Sequence, residues 1–394
     1  MDSHQAATLY WKTMHTINLL IRGVSVLIAL SILVLLSTLF STPSTYTPPV
    51  TIEIPAEVAT TSVDSVTNIS APETTSSAEE VVIPQAPTVS PTVTTIIPEV
   101  IPEISVTVPE TNPLGAVNAL TRAATVNILC LTTLSSPVNP ITGTGVVIDP
   151  RGIILTNAHV AQFFLLKDYP AKESIDCVIR TGSPARNTYR AELLYLPPQW
   201  ISDNRTAIRL EHPTGTGEND YAFLRITGTA QNEAVTEALP FVPIGDVTGM
   251  PEVGTPILIA SYPAGFLGGA TILKDLFLSS ALSEIKHVFT FVSTTPDLIS
   301  TGGTVVAQSG SSGSPVVGGD GRLIGLVVTS TAGATTDERD LRALTVSHIN
   351  RSLTQYVGND IATFLSASPA ETASFFNTNI APALTNILVD ELKK

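Results

Sequence analysis

Hydrophobic positions are unevenly distributed along the 394 residues, and their pattern divides the chain into segments of different kinds. Residues 23–40 form a run of 18 uncharged positions rich in Leu, Val and Ile. As a helix, such a run is about 27 Å long at ~1.5 Å per residue, close to the thickness of a bilayer's hydrocarbon core. We therefore predict a transmembrane helix over residues 17–40, preceded by a cytoplasmic tail at residues 1–16.

Basic residues lie on only one side of this predicted helix. Lys12 and Arg22 precede the apolar run, and the next basic residue is Arg122. The positive-inside rule then places the N-terminus in the cytoplasm and everything after Phe40 outside, as a single-pass protein of the cell membrane. A cleaved signal peptide stays open as an alternative, because small residues at 37–42 resemble a cleavage site.

Residues 41–113 have the composition of a stalk rather than of a folded domain. They contain 12 prolines, 24 serines and threonines, nine acidic residues and no Gly, Lys or Arg. Proline removes backbone donors and fixes φ, so neither helix nor sheet propagates far. We predict an acidic, disordered and extended stalk that holds a later domain away from the membrane.

Short runs of Val, Ile and Leu, separated by Gly, Pro and Asn-Asp signals, recur from residue 114 onwards. Examples lie at residues 125–131, 145–148, 153–156, 222–226, 256–260, 288–292, 315–317 and 323–328. Many short strands with few helical patterns indicate an all-β barrel or sandwich over residues 114–355. Helical spacing appears only after residue 347, and residues 356–394 are predicted to form a helical extension, with Ser368 opening one helix. We expect this extension to pack on the barrel, and contacts within an oligomer are the alternative.

Charge and cysteine content exclude several classes of protein. The net charge is −14, from 20 basic and 34 acidic residues, which argues against a nucleic-acid partner. Two cysteines, Cys130 and Cys177, rule out a disulfide-dense scaffold and a four-cysteine zinc site. Whether these two cysteines pair stays open at this point. We expect no metal and no cofactor.

Three polar residues stand beside predicted strands in a pattern that suits nucleophilic catalysis. His159 ends the second strand of a predicted hairpin at residues 144–160, and Asp220 directly precedes an alternating strand. Ser312 lies in a loop of small residues at 308–317. A serine nucleophile needs a base within hydrogen-bond reach, an acid that fixes the base's tautomer, and backbone N–H groups that stabilise the oxyanion.

These segments resemble the motifs of the chymotrypsin-like (trypsin-fold) serine proteases, and most closely those of the bacterial high-temperature-requirement type. Thr-Asn-Ala-His-Val at 156–160 is similar to the histidine motif of that family, and Asn-Asp-Tyr-Ala-Phe-Leu at 219–224 to its aspartate motif. Gly-Ser-Ser-Gly-Ser-Pro at 310–315 is similar to its nucleophile loop. The resemblance covers residues 114–355 and implies two packed six-stranded antiparallel β-barrels. No PDZ module is expected after them.

The resemblance also implies residue roles. His159, Asp220 and Ser312 correspond to the catalytic triad, and the amides of Gly310 and Ser312 to the oxyanion hole. Ser311 is the alternative nucleophile if the register of the loop is shifted by one residue.

The position that forms the floor of the primary specificity pocket in this family is occupied by Val306, six residues before Ser312. The opposing wall corresponds to Val328, Thr329 and Ser330. Because none of these residues is acidic, the resemblance implies a preference for small or medium apolar side chains rather than for Lys or Arg.

The sequence thus predicts a membrane-anchored extracytoplasmic serine endopeptidase that acts on proteins or peptides through an acyl-enzyme. A non-catalytic binding or chaperone-like surface module on the same fold is the alternative. Association into homo-oligomers stays open.

Overall fold

Two antiparallel β-sheets are the framework of the chain in the computed structural model, which describes residues 113–210, 215–291 and 295–394. All these residues belong to one compact unit. The predicted cytoplasmic tail, the transmembrane helix at 17–40 and the stalk up to residue 112 lie outside the described residues. Among the helices of the described ranges, none is long and apolar enough to cross a bilayer.

The first sheet is a closed barrel of six strands in the order β1-β2-β3-β6-β5-β4, which confirms the first of the two predicted barrels. Its strands are β1 (Thr125–Thr132), β2 (Ile141–Asp149), β3 (Ile153–Thr156), β4 (Ile175–Thr181), β5 (Arg186–Tyr195) and β6 (Ala222–Thr229). The barrel closes because β1 pairs with β2 on one side and with β4 on the other. Ile128, Ile154 and Leu224 are fully buried, and each such side chain contributes about 1.5–3 kcal/mol to folding.

The second sheet has seven strands in the order β8-β7-β11-β12-β13-β10-β9, so the prediction of a second six-stranded barrel is wrong in strand number and closure. The strands are β7 (Pro256–Ser261), β8 (Ser279–Glu284), β9 (His287–Phe289), β10 (Leu298–Gly302), β11 (Pro315–Gly318), β12 (Leu323–Ser330) and β13 (Leu341–Thr345).

The extra strand arises where the chain changes its pairing partner. β8 pairs with β7, and β9, only two residues later, pairs with β10. Between them, the amide of Ile285 donates to Thr255 on the β7 side at 3.0 Å, whereas the amide of Lys286 donates to Ser300 on the β10 side at 2.8 Å. One extended run is therefore divided into two short strands, of which the first pairs with β7 and the second with β10.

Cys130 and Cys177 form a disulfide that links two neighbouring strands of the first barrel. They are direct partners in the β1–β4 pairing, although 47 residues separate them in sequence. The question left open by the sequence is thereby answered by strand register.

Helices also occur well before residue 347, which corrects the expectation that they are confined to the C-terminal part. The early helices are α1 (Pro113–Ala124), α2 (Ala158–Ala161), α3 (Pro198–Asn204) and α4 (Gly269–Lys274). In α1, Val117, Thr121 and Ala124 are buried, at the spacing of one helix face. Arg122 reaches from this helix to Ser280 on β8, with Nη1 3.0 Å from the hydroxyl oxygen.

The C-terminal helices are α5 (Val346–Val357), α6 (Ile361–Ser366), α7 (Pro369–Asn379) and α8 (Ala381–Leu392). Gly358 ends α5 with φ at 82°, a conformation that favours glycine. Ser368 caps α7 as predicted, accepting the amide hydrogen of Glu371.

Helix α7 packs on the first barrel, and α8 packs on segments that connect the strands of that barrel. On α7, Asn377 donates from its side chain to the carbonyl of Leu193 in β5 at 2.8 Å. On α8, the hydroxyl of Thr385 donates to the carbonyl of Leu165 at 3.1 Å. The described part of the C-terminal extension therefore belongs to the folded domain.

Candidate active site

Strand register brings His159 and Asp220 together at one end of the first barrel. Thr156, the last residue of β3, pairs with Ala222, the first residue of β6. Because the two strands are antiparallel, residues just after Thr156 lie opposite residues just before Ala222. His159 follows three residues later in α2, and Asp220 precedes β6 by two residues.

His159 contacts both oxygens of one carboxylate, one through its imidazole and the other through its backbone amide. Nδ1 of His159 lies 2.7 Å from Oδ2 of Asp220, and the backbone amide of His159 donates to Oδ1 at 2.9 Å. The side chain of Asn157 donates to the carbonyl of Asp220 at 2.9 Å. When the proton of the neutral imidazole is on Nδ1, it is donated to the carboxylate. Nε2 then has a free lone pair and can accept a proton as a general base.

The electrostatic environment of His159 also suits a base. Burial by itself would lower the pKa of His159, but the charge of Asp220 and its hydrogen bond outweigh burial and raise the pKa above the ordinary 6.5. The side chains of His159 and Asp220 are 25% and 8% exposed, so water screens their attraction only in part.

A tight turn presents Asp220. Gly217 and Asn219 adopt left-handed backbone conformations with φ at 83° and 57°. Within the turn, the amide of Asp220 donates to the carbonyl of Gly217 at 3.1 Å, and the amide of Tyr221 donates to that of Asn219 at 2.9 Å. Glycine and asparagine tolerate these φ values better than other residues do, so the backbone around Asp220 is locally defined.

The loop that carries Ser312 is bonded to both sheets. The carbonyl of Ser312, a partly exposed residue, accepts the amide hydrogen of Thr144 on β2 at 2.8 Å. The amide of Gly313 donates to Val327 on β12 at 2.8 Å. Gly313 has φ at 84°, and a Cβ atom at this position would lie 1.9 Å from the carbonyl oxygen of Thr144. Only glycine fits here.

Thr144 also fixes the other end of this loop. Its hydroxyl donates to the carbonyl of Gly310 at 2.7 Å and accepts from the amide of Tyr262 at 3.1 Å. Its own carbonyl accepts from the hydroxyl of Thr156 at 2.7 Å. Thr144 is fully buried, and sequence reasoning assigned it no role. The available signal was a hydroxyl residue between two glycines, Gly143 and Gly145.

The two candidate nucleophiles differ in their surroundings. Ser311 is 1% exposed, and its hydroxyl accepts from the hydroxyl of Ser261 at 2.9 Å and donates to the carbonyl of Val306. Ser312 is partly exposed, and no hydrogen bond of its hydroxyl occurs within the described residues. These surroundings favour Ser312 over Ser311 as the nucleophile.

Two backbone amides of the loop that carries Ser312 are free to donate a hydrogen bond, and two are not. Ser311 and Gly313 donate their amide hydrogens to Gln308 and Val327. The amides of Gly310 and Ser312 make no hydrogen bond to any other described residue. A substrate oxyanion between them would meet two N–H donors, as such a site requires.

The residues predicted to form the specificity pocket lie in different environments. Val306 is fully buried in the core of the second sheet, whereas its neighbour Val305 is 60% exposed. Val328 is 6% exposed, and its Cγ2 atom lies 2.7 Å from where a Cβ atom of Gly217 would be. Ser330 is exposed at the end of β12. The contacts do not join the three predicted residues into one cavity.

Metal-ligating side chains are not clustered in the described ranges, where no group of three or more His, Cys, Asp or Glu residues could hold an ion. The groups that the candidate site residues offer for chemistry are a serine hydroxyl, an imidazole, a carboxylate and two backbone amides.

In the comparison with known proteins, residues 143–326 match the family model of the trypsin-like peptidase domain. No curated protein matches the chain.

Several solved structures are similar to this one. The serine endoprotease from Yersinia pestis is 18% identical, with 62% of this chain and 66% of that chain covered and a TM-score of 0.39. Deg5 is 17% identical, with coverages of 61% and 91% and a TM-score of 0.41. The active form of the Rv3671c protease from M. tuberculosis is 18% identical, with coverages of 61% and 83% and a TM-score of 0.38. The chain therefore spans just under two thirds of the length of the Yersinia protein.

Proposed function

We propose that this chain is a serine endopeptidase with His159, Asp220 and Ser312 as its catalytic triad, which is supported by the match of residues 143–326 to the trypsin-like peptidase domain. The observation that carries the proposal is the 2.7 Å contact between Nδ1 of His159 and Oδ2 of Asp220. The loop of Ser312 is bonded to β2, the neighbour of the strand that leads to His159.

In the proposed reaction, Oγ of Ser312 attacks the scissile carbonyl carbon while Nε2 of His159 takes the hydroxyl proton. The tetrahedral oxyanion accepts hydrogen bonds from the amides of Gly310 and Ser312. Collapse breaks the C–N bond, and His159 returns the proton to the departing amine. Water then attacks the acyl-enzyme with the same base, which releases the acid and restores the serine. Asp220 stabilises the imidazolium that forms in each half of the reaction.

The proposed substrates are proteins or peptides with a small or medium apolar side chain before the cleaved bond. Val306, Val328 and Ser330 carry no charge, so the predicted pocket residues offer no ion pair to Lys or Arg. Val305, the neighbour of Val306 in sequence, adds an exposed apolar side chain.

We further propose that the protein is anchored in the cell membrane by residues 17–40, with the peptidase domain outside the cytoplasm. The disulfide between Cys130 and Cys177 supports this location, because such bonds persist in oxidising compartments. Digestion of intact cells by an added protease tests the orientation: the domain is degraded if it is outside, whereas complete protection would contradict the proposal.

A serine-directed fluorophosphonate probe tests the catalytic proposal on the full chain. We expect labelling and casein hydrolysis by the wild type, and neither by Ser312→Ala. Absence of both from a folded wild-type protein would favour the alternative, a non-catalytic binding or chaperone-like module.

Ser311→Ala is the matched control for this experiment. It removes the neighbouring hydroxyl, which is buried and bonded to Ser261 and Val306. If Ser312 is the nucleophile, folded Ser311→Ala still reacts with the probe. Loss of labelling in Ser311→Ala with retention in Ser312→Ala would assign the nucleophile to Ser311 instead.

A further inference from the structure

The hydroxyl of Ser352, on α5, contacts both residues that flank Asp220 in sequence. It donates to Oδ1 of Asn219 at 2.8 Å and accepts from the phenol of Tyr221 at 2.9 Å. A serine hydroxyl has one hydrogen to donate, and here that hydrogen and one lone pair are both used. Asp220 therefore lies between two side chains that are tied to a single oxygen atom.

This contact is buried. Ser352 is 4% exposed, Asn219 is 8% exposed and Tyr221 is fully buried. The ring of Tyr221 packs edge to face against Phe223 on β6, with 5.9 Å between the ring centres. Buried hydrogen bonds of this kind are costly to break, because each separated group loses its partner without gaining water.

The helix that carries Ser352 is itself anchored on the second sheet. One helical turn before Ser352, Nδ1 of His348 lies 3.0 Å from Oδ1 of Asp297, which directly precedes β10. Arg351 contacts the same carboxylate oxygen, with Nη2 at 2.5 Å. Helix α5 thus connects the second sheet to the residues that present Asp220 from the first barrel.

We propose that Ser352 is a positioning residue that holds Asp220 in register with His159 through Asn219 and Tyr221. This inference rests on the proposed function, since it assigns Ser352 a role in the same catalytic triad. Asn219 is restrained twice: its side chain is bonded to Ser352, and its backbone has a left-handed conformation. Asp220, the next residue, therefore has little conformational freedom.

Ser352→Ala tests the inference through the pH dependence of peptide hydrolysis, measured on the full chain. Asp220 is the charged group that raises the pKa of His159. If Asp220 is less well placed, that pKa falls, and the acidic limb of kcat/KM moves to lower pH. We expect kcat to fall about 10- to 100-fold, the size of effect that misplacement of a catalytic group produces, with KM unchanged. Rates are expressed per site titrated with the fluorophosphonate.

Ser347→Ala is the control on the same helix. Ser347 is buried, and its hydroxyl donates to the carbonyl of Pro296 at 3.2 Å, away from Asp220. Ser347→Ala removes a comparable buried hydroxyl. We expect its kcat and the acidic limb of its kcat/KM profile to be the same as in the wild type. If Ser347→Ala changes both as Ser352→Ala does, the effect reflects helix stability and the inference is overturned.

A second variant covers the case in which Ser352→Ala does not fold. Asn219→Gly removes the carboxamide that Ser352 binds but accepts a positive φ readily. It is expected to shift the acidic limb in the same direction. If Asn219→Gly has the same kcat and the same acidic limb of kcat/KM as the wild type, the positioning role is refuted. Failure of the proposed function is distinguishable, because the wild type would then not react with the fluorophosphonate at all.

Discussion

Thr144 and Gly310 are joined across the two sheets by a hydrogen bond of 2.7 Å, from the hydroxyl of the first to the carbonyl of the second. The same hydroxyl accepts the amide hydrogen of Tyr262, which follows β7. One buried side chain of the first barrel therefore sets the position of a loop that belongs to the second sheet. The loop carries Ser312 and the two free amides, so in the proposed mechanism its position bears directly on catalysis.

Thr144→Val keeps the shape of the side chain but leaves the carbonyl of Gly310 and the amide of Tyr262 without partners. We expect a loss of about 1–3 kcal/mol in the free energy of unfolding, measured by urea titration. We also expect a drop of about 100-fold in kcat, because the nucleophile loop is displaced. Thr142→Val, on the same strand, removes a partly exposed hydroxyl that binds Asn127 and is the control. Equal kcat values for the two variants would contradict this role of Thr144.

Asp220→Asn tests the ion pair with His159. The wild-type acidic limb of kcat/KM should lie above pH 6.5, because the pKa of His159 is raised and the protonated imidazole cannot act as a base. In Asp220→Asn the charge is gone, so the limb should move to lower pH. The kcat should fall about 10⁴-fold, the loss found when the tautomer of such a histidine is no longer held. Asp203→Asn changes an exposed carboxylate and should leave both unaltered. An unchanged limb in Asp220→Asn would exclude this electrostatic role.

Gly313→Ala probes the close approach of the nucleophile loop to β2. Its Cβ atom would lie 1.9 Å from the carbonyl oxygen of Thr144, on a residue whose φ is 84°. Left-handed strain and the forced shift of the strand together should cost about 2–5 kcal/mol of unfolding free energy and abolish labelling by the fluorophosphonate. Gly319→Ala places its Cβ atom in open space and is the control. Wild-type labelling of Gly313→Ala would show that the loop does not dock as described.

Reduction of the disulfide between Cys130 and Cys177 should lower the unfolding free energy by about 2–4 kcal/mol, because it releases a constraint on the unfolded chain. The comparison is urea unfolding of the wild type with and without dithiothreitol. The double variant Cys130→Ala with Cys177→Ala should be insensitive to the reductant. If the wild type were equally insensitive, the two thiols would not be paired under these conditions.

Local patterns were sufficient to predict much of the framework. Alternating and apolar runs predicted strands that became β1, β3 and β6, and the hairpin that ends near His159 was predicted with its Asp-Pro-Arg-Gly turn at residues 149–152. The turn is closed as expected by the amide of Gly152, which donates to Asp149 at 2.9 Å. These features depend on neighbouring residues alone, through the period of side-chain burial and the φ preferences of Gly and Pro.

Two departures from prediction have equally physical causes. The second sheet has a seventh strand because the pairing partner changes between Ile285 and Lys286, and no local signal marks such a change. Helix α1 was missed because its buried face includes Thr121, whose hydroxyl is satisfied within the helix by the carbonyl of Val117 at 2.7 Å. A polar residue whose hydrogen bond is made within the helix can be buried, but the sequence pattern counts it as polar and so does not show a continuous apolar face.

The sequence by itself determined the kind of fold, the order of the candidate triad residues and the glycines that their turns need. Only the tertiary structure decided that Cys130 and Cys177 pair, and which hydroxyl groups support the site. Thr144 and Gly310 are 166 residues apart, and Ser352 and Asn219 are 133 apart. At such separations, the hydrogen-bond partners of a residue depend on how two sheets and a helix assemble. The sequence alone therefore cannot show which buried hydroxyl groups bond to the residues of the site.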